Sequence, residues 1–306
     1  MKAELVTMIG ALRPARADLK SDVVAGLTFA VVNVPQAMAH ALLAAVNPVL
    51  GIYTLMVAAP VGAIFTSSVY MNVSTTSALS VAAGAALADI PDMQRATALA
   101  VLVLLVGVIQ LAAGLFRLGF IVRFVSNAVM TGFLNGIAVL IILGQLGELT
   151  GYQSRFSNSV ARALDLALRL DRVDIPTTII GLLTLGLIVL VLQTRWRRFA
   201  FILAIAAATV LLMVLGLPLF AATLNWQAVR TVGDISAIPR TLPALALPSP
   251  QLLFSLLLPA FSVAIIGLIQ GAGVSQGYPN PDGKYPNVSR DFFGQGAANL
   301  AARFVS

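Results

Sequence analysis

Residues 31–48 (VVNVPQAMAHALLAAVNP) form an apolar stretch that carries three hydrogen-bonding side chains and an internal proline. On a helix, Asn33, Gln36 and His40 fall at positions i, i+3 and i+7 and therefore share one face. Pro35 lies off that face and removes one backbone hydrogen bond. The polar stripe either lines a cavity or ties neighbouring helices together, since these side chains do both in membranes. His40 is the only histidine, the side-chain type that titrates near neutral pH.

A second polar group, residues 72–77 (NVSTTS), leads into an alanine-rich segment at 76–88. About a dozen helical residues rise only about 18 Å, which is too short for a hydrocarbon core of about 30 Å. Non-helical backbone must complete the crossing, and it is tolerated only where protein covers it or where it lines an aqueous cavity. Ser and Thr favour helix N-termini, whose free N–H groups bind anions. The alternative is an ordinary span whose hydroxyls bond their own backbone.

The composition is typical of a polytopic membrane protein, with 59% hydrophobic residues, 10% charged residues and a mean hydropathy of +0.94. The absence of cysteine excludes disulfides, zinc–thiolate sites and iron–sulfur clusters, and a single histidine makes other metal sites unexpected. We predict no metal and no cofactor. An intramembrane enzyme would need a nucleophile–base pair or metal ligands, and the sequence offers no such pattern, so we expect a protein that is not an enzyme.

Eight apolar segments are candidate membrane elements, because a helix needs about 20 residues to cross the hydrocarbon core. One is the short segment at 76–88. The seven longer ones are 23–45, 48–67, 95–116, 127–148, 175–194, 198–217 and 251–276. The amphipathic stretch 159–174 (SVARALDLALRLDRVD) has charges that recur too often for a span, and we predict that it lies at a membrane interface.

The distribution of Lys and Arg orients these elements. With the N-terminus inside and every element crossing, the whole net charge of +7 falls on the cytoplasmic side. If 76–88 did not cross, Arg117, Arg123 and the RWRR cluster at 195–198 would move outside. The pI near 10.4 therefore reports membrane orientation, and no nucleic-acid partner is needed to explain it. We predict a multi-pass plasma (inner) membrane protein with a cytoplasmic N-terminus that lacks a signal-peptide pattern.

Four segments resemble the sulfate permease (SulP) family of anion transporters. Residues 22–54 (DVVAGLTFAVVNVPQAMAHALLAAVNPVLGIYT) are similar to its first two spans, with the AGL start and PQ-x-(M/L)-A core, and 127–151 (NAVMTGFLNGIAVLIILGQLGELTG) to its fifth. Residues 229–250 (VRTVGDISAIPRTLPALALPSP) resemble its outer loop. Residues 290–304 (RDFFGQGAANLAARF) are similar to the N-x-E-L-x-x-x-G-x-x-N segment that opens its ninth span. The segments follow the family's order over nearly the whole chain.

The resemblance implies an all-α polytopic fold of two inverted repeats of seven spans, in which a core domain moves against a gate domain around a midplane site. The expected parts are a cytoplasmic segment 1–21, a first repeat 22–217 (core spans 22–117, gate spans 118–217), an extracytoplasmic loop 218–249, and the start of the second repeat at 250–306. The family's later spans and its common cytoplasmic STAS domain would lie beyond Ser306. We therefore expect the chain to be a fragment, or to be completed by a partner.

The resemblance also implies a site. In the family, the anion lies between the facing N-termini of half-helices in spans three and ten, against span one. By motif, Gln36 matches the family's glutamine and His40 an aromatic position four residues later, while Thr76 and Ser77 begin the half-helix of span three. These four residues are the expected substrate-binding residues, and they join the polar stripe and the short helix in one site.

Two departures bear on selectivity and coupling. Ser74 and Thr75 stand where the family often has Gly-Pro. Gln270, in IIGLIQGAGVSQG (265–277), stands where many transporting relatives have Asp or Glu in span eight. An amide cannot titrate, so Gln270 is expected to be a coupling position without a carboxylate. The alternative is a structural hydrogen bond to a neighbouring helix.

The expected function is secondary transport of an inorganic anion of the sulfate, bicarbonate or chloride class by alternating access. The alternatives are a non-transporting scaffold of the same family and a nucleobase permease of the same architecture, although the PQ-x-M-A and G-x-x-N segments differ from the latter. The expected partners are the anion and the lipid bilayer, and a homodimer is compatible with the resemblance.

Overall fold

The computed structural model describes residues 19–124, 127–156, 158–215 and 250–304, and these ranges contain helices but no β-strand. The predicted extracytoplasmic loop 218–249 and most of the predicted N-terminal segment 1–21 lie outside the described residues. The α-helices are α1 Leu19–Leu43, α2 Pro48–Phe65, α3 Ser77–Ala86, α4 Asp92–Leu115, α5 Asn127–Thr150, α6 Ser159–Leu168, α7 Ile175–Leu192, α8 Ala200–Leu215, α9 Pro250–Gly277 and α10 Val288–Ala302. Short 3₁₀ helices lie at Leu118–Phe124, Leu170–Arg172 and Arg197–Phe199.

Each of the eight predicted membrane elements is a helix in the structure, namely α1 to α5 and α7 to α9. Over the described ranges, five of these helices contain a stretch long and apolar enough to cross a membrane: α1, α2, α4, α7 and α9. The apolar helical stretches Ser77–Ala86, Ala138–Thr150 and Ala200–Val214 are shorter. The short helix predicted at 76–88 is thus present as α3, with ten residues.

Two compact units divide the described chain, and the divisions fall within α1 and α5. The first unit holds residues 34–124, 127–137 and 250–304, and the second holds 19–33, 138–156 and 158–215. The predicted core and gate ranges, 22–117 and 118–217, stay a prediction.

In the first unit, α10 packs against α4 and α2, and α9 packs against α4 and α3. A buried apolar cluster joins α4 and α9, with Val101 and Leu102 on one side and Leu256 and Ala260 on the other. The helices cross closely at glycines. A Cβ atom on Gly296 would lie 2.3 Å from the backbone nitrogen of Leu111, so only glycine permits this approach of α10 to α4. Small residues serve the same purpose at helix crossings in membranes generally.

The polar stripe lies on a continuous helix. Although Pro35 removes a hydrogen bond, α1 runs through it from Leu19 to Leu43. The chain then reverses through Ala45, whose φ of 54° is left-handed. Asn47 caps α2 by accepting a hydrogen bond from the Val49 N–H at 3.0 Å, and Pro48 stands in the first turn, where its missing N–H costs nothing.

In the second unit, α7 packs against α8. Asp174 caps α7 by accepting from the backbone N–H of Thr177 at 3.1 Å and from the Thr177 hydroxyl. The amphipathic stretch forms α6 and a 3₁₀ turn. Asn158 caps α6, accepting from the backbone N–H groups of Val160 at 2.9 Å and Ala161 at 3.3 Å. The interfacial location predicted for this stretch stays a prediction.

Candidate functional site

The candidate site is built around the N-terminus of α3. Thr76 is its N-cap residue, with an extended backbone at φ −127° and ψ 153°. The Thr76 side-chain oxygen accepts a hydrogen bond from the Leu79 N–H at 3.3 Å, which satisfies one of the free donors of the first turn. Hydroxyls precede and follow the cap, on Thr75 and Ser77. This is the local structure that the Ser/Thr-rich sequence favours.

His40 on α1 contacts both of these neighbouring hydroxyls. Its Nδ1 lies 2.9 Å from the Thr75 Oγ1, and its Nε2 lies 3.1 Å from the Ser77 Oγ. The side chain is only 3% exposed. A neutral imidazole has one N–H donor and one acceptor nitrogen, so one hydroxyl donates to the ring and the other accepts from it. The pairing connects α1 to the first turn of α3.

Gln270 on α9 reaches the same turn. The Thr76 hydroxyl donates to the Gln270 Oε1 at 3.1 Å, while the same oxygen accepts from the Leu79 N–H. Three helices, α1, α3 and α9, therefore meet at three consecutive hydroxyl residues. The structure brings His40, Thr76, Ser77 and Gln270 together in one hydrogen-bonded group.

Gln36 is placed differently. It lies one turn before His40 on α1 and shares its face, but its side chain is exposed and makes no hydrogen bond with another described residue. Asn33, the first residue of the polar stripe, turns back to its own helix and donates to the Phe29 carbonyl oxygen at 2.9 Å. Among the described residues, His40 is the stripe residue whose side chain hydrogen-bonds residues distant in sequence.

The hydrogen-bonded group contains no Lys, Arg, Asp or Glu. No Lys or Arg occurs between Lys20 and Arg95 in the sequence. The donors near the helix end are hydroxyls, an imidazole and backbone N–H groups, and the positive end of the helix dipole adds a partial charge. Such a site can bind an anion without a permanent counter-charge.

Comparison with known proteins places the chain in a family. Residues 19–306 match the model of the sulfate permease family. The chain belongs to the sulfate permease family. A probable sulfate transporter of Mycobacterium tuberculosis is 32% identical over 291 residues, covering 93% of this chain and 50% of that protein. A probable sulfate transporter of Arabidopsis thaliana is 30% identical over 295 residues, covering 94% of this chain and 42% of that protein. The chain thus spans about half the length of these curated relatives.

Solved structures show the same fold. The transmembrane domain of a cyanobacterial bicarbonate transporter, BicA, superposes with a TM-score of 0.67 at 23% identity, covering 96% of this chain and 74% of that one. The murine Solute Carrier 26 family member A9 anion transporter, in its inward-facing state, gives a TM-score of 0.69 at 20% identity, covering 100% of this chain and 54% of that one. The chain therefore has the all-α inverted-repeat transporter fold that the sequence resemblance predicted.

The sequence analysis did not predict a role for two residues, Thr75 and Asp291. Thr75 was noted only as a departure from Gly-Pro, yet it contacts His40. Asp291, at the start of α10, is completely buried and accepts four hydrogen bonds. A signal existed for Asp291, because aligning Gly296 and Asn299 with the G-x-x-N of the family motif puts Asp291 at the motif's glutamate.

Proposed function

We propose that this protein takes part in secondary transport of an inorganic anion of the sulfate, bicarbonate or chloride class by alternating access. His40, Thr76 and Ser77 are its proposed substrate-binding residues, with Gln36 as an exposed fourth on the same face of α1. Membership of the sulfate permease family supports this function over a nucleobase permease, and over an enzyme. A non-transporting scaffold of the same family is the remaining alternative.

The observation that carries the proposal is the neutral donor group at the N-terminus of α3. A transported anion must be bound strongly enough to enter and weakly enough to leave. Hydroxyl and backbone donors replace part of its hydration shell, and the helix dipole favours its charge. The His40 imidazole holds the hydroxyls of Thr75 and Ser77 in place, and the hydroxyl that accepts from the ring keeps its own proton free, so this donor is already ordered when an anion arrives. Ordering it beforehand lowers the entropic cost of binding.

Gln270 is the proposed coupling position. Its amide bonds the capping hydroxyl of Thr76, so a change at residue 270 acts directly on the first turn of α3. Because an amide does not titrate, transport by the unsubstituted protein should not depend on sodium or on protonation at this position. Gln270→Glu should introduce cation or proton dependence at a coupling position. At a purely structural bridge it should mainly impair folding, and strong sodium dependence of the unsubstituted protein would contradict the assignment.

The remaining proposals concern the whole protein. We place it in the plasma (inner) membrane with a cytoplasmic N-terminus, because that orientation puts the net charge of +7 inside. A homodimer is proposed as its assembly. The orientation is tested with a single cysteine introduced near Arg195, which should be protected from a membrane-impermeant thiol reagent added outside; the chain has no native cysteine to interfere.

Transport itself is tested with the gene product reconstituted in proteoliposomes. Uptake of labelled sulfate and bicarbonate should be saturable, and Ser77→Ala should raise KM because one donor is lost. Thr209→Val is a suitable control, since Thr209 is exposed and its hydroxyl bonds the Ile205 carbonyl oxygen of its own helix, at 2.8 Å. A scaffold would show no anion uptake in any variant, and equal KM values in Ser77→Ala and the control would contradict the site.

A further inference from the structure

Asp291 accepts four hydrogen bonds in the first unit and lies outside the candidate anion site. It lies in the first turn of α10 and is 0% exposed. One carboxylate oxygen accepts from the Ser67 N–H at 2.5 Å, the Ser67 hydroxyl at 2.8 Å and the Ser68 N–H at 3.2 Å. The other accepts from the Ser275 hydroxyl at 2.6 Å. These donors suit an ionised carboxylate, which only accepts, and hydrogen bonds to a charged acceptor are about twice as strong as neutral ones.

Ser67 is the centre of this group. Its hydroxyl has one proton, and the 2.8 Å bond to the carboxylate takes it in preference to the 3.2 Å contact with the Asn287 carbonyl oxygen. The same hydroxyl oxygen accepts from the Asn287 N–H at 2.8 Å. The Ser67 carbonyl oxygen accepts from the Asn280 side-chain nitrogen at 3.0 Å, and the Asn280 side-chain oxygen accepts from the Val69 N–H at 3.0 Å. Residues 67–69, just after α2, are therefore hydrogen-bonded to several positions within 280–291.

Ser67 lies at the start of the segment that leads to the candidate site. Residues 66–76 join α2 to α3 and form neither helix nor strand, so side-chain contacts decide their path. Val73 packs so closely on Gly62 that a Cβ there would lie 2.5 Å from a Val73 methyl carbon. The segment ends at Thr75 and Thr76, which contact His40 and Gln270. Asp291 holds one end of the segment, and the candidate site holds the other.

We propose that Asp291 is a positioning residue for anion transport: by holding Ser67 and Ser68, it sets the path of residues 66–76 and thereby the placement of the α3 N-terminus. The inference rests on the proposed function. Asp291 does not touch the anion; it acts through the segment. Losing its bond to Ser67 lets the segment sample other paths, so a smaller fraction of molecules presents the ordered donor group. The apparent anion affinity falls in proportion to that fraction.

The chain offers a matched pair of variants for the test. Ser67→Ala removes the hydroxyl bonded to Asp291. Ser68→Ala removes a neighbouring buried hydroxyl that has no hydrogen-bond partner among the described residues, and leaves the Ser68 N–H on the carboxylate. Both variants are measured as the whole gene product in proteoliposomes, with sulfate as the probe, by uptake kinetics and by backbone hydrogen exchange of residues 66–77.

Ser67→Ala should raise KM for sulfate about tenfold, as expected for loss of one hydrogen bond to a charged group, with a smaller change in the maximal rate. Exchange should accelerate in 66–77 and stay unchanged in α4 and α9. Ser68→Ala should match the unsubstituted protein in both measurements, and Asp291→Asn should reproduce the KM effect of Ser67→Ala.

Equal exchange in the two serine variants would overturn the proposal, because Asp291 would then not hold the segment. Faster exchange throughout the first unit would overturn it too, since Asp291 would be a general stabiliser of the fold. A loosened segment with an unchanged KM would show that the segment does not position the site. Absence of saturable sulfate and bicarbonate uptake by the unsubstituted protein would instead refute the proposed function, while the exchange comparison would still decide whether Asp291 holds residues 66–77.

Discussion

In the described parts of the chain, each unit contains a buried carboxylate with serine donors, and the two are built differently. Asp291 in the first unit joins Ser67 and Ser68, more than 200 residues away in sequence, to Ser275 on α9. Asp165 in the second unit accepts from the hydroxyls of Tyr152 at 2.8 Å and Ser154 at 2.6 Å, only 13 and 11 residues away. The Asp291 group holds distant parts of the fold together, whereas the Asp165 group ties a helix to its own preceding loop.

The charge balance also differs. Asp165 pairs with Arg169 at 3.2 Å, and this arginine side chain is 48% exposed, so water can replace much of what the pair contributes. The four bonds to Asp291 come from neutral hydroxyls and backbone N–H groups, and the carboxylate that accepts them is 0% exposed. Unsatisfied groups cost most where water cannot reach them. Similar hydrogen bonds therefore contribute differently to stability, depending on the sequence separation and the burial of the groups they join.

The largest expected effect comes from removing each carboxylate. Asp291→Ala leaves the backbone N–H groups of Ser67 and Ser68 without this acceptor and two serine hydroxyls with only their backbone carbonyl contacts, and we expect a loss of about 3–5 kcal/mol in unfolding free energy. Asp165→Ala should destabilise less, because its partners lie nearer to water. Thermal unfolding of the two purified variants in the same detergent measures both. Equal losses would remove the distinction between the two groups.

A second pair of variants compares Thr76, a helix cap that also makes a long-range hydrogen bond, with Asn158, whose capping bonds are local. Thr76→Val and Asn158→Ala each remove a helix cap and should each cost about 1 kcal/mol. Only Thr76→Val also breaks the bond to Gln270, so only this variant should raise KM for sulfate uptake. Thr76→Ser, which keeps the hydroxyl, should restore the KM. A similar rise of KM in Asn158→Ala would show that transport responds to any loss of helix stability.

The contrast between local and long-range contacts also explains which features the sequence could predict. The helices followed from apolar length and capping residues, which act within a few positions; α3 was predicted at 76–88 and is Ser77–Ala86. The meeting of His40 with Thr76 and Ser77 needed the family resemblance, because α1 and α3 are separate elements, and the contact of Gln270 with Thr76 was found only in the structure. The Asp291 group was missed, although the family motif offered a signal, because a single Asp in the first turn of α10 shows no periodic pattern and its partners Ser67 and Ser68 lie more than 200 residues away.

A smaller effect is expected when His40 is replaced. His40→Phe restores the aromatic side chain of the family's motif and removes the partner of Thr75 and Ser77, but leaves their hydroxyls able to donate to an anion. Sulfate binding should persist, with KM changed by no more than about fivefold, the value of a neutral hydrogen bond worth about 1 kcal/mol. Any dependence of uptake on pH between about 5 and 7 should weaken, because histidine is the side chain that titrates there. Unchanged pH dependence would remove His40 from that role.

The smallest expected effect concerns the protonation of the Asp165 group, which lies outside the membrane-crossing helices. The hydrogen bonds from Ser154 and then Tyr152 hold the pKa of Asp165 below its ordinary value of 3.8, against the effect of burial. The hydrogen bond to Asp165 is in turn the main cause that raises the pKa of Tyr152 above 10.0. The carboxylate therefore contributes stability that is present above its ordinary pKa and is lost as the pH falls through the lowered one.

Tyr152→Phe tests this locally. One of the two hydroxyl donors disappears while Ser154 remains, so the pKa of Asp165 should rise towards 3.8 without passing it, and the contact between α6 and its loop should loosen at a higher pH than in the unsubstituted protein. Titration of the aspartate carboxyl carbons by NMR measures the pKa, and hydrogen exchange of 152–169 measures the loosening. Because the group is local, exchange in α9 and α10 should not change with this variant. An effect there would contradict the contrast between the two carboxylates.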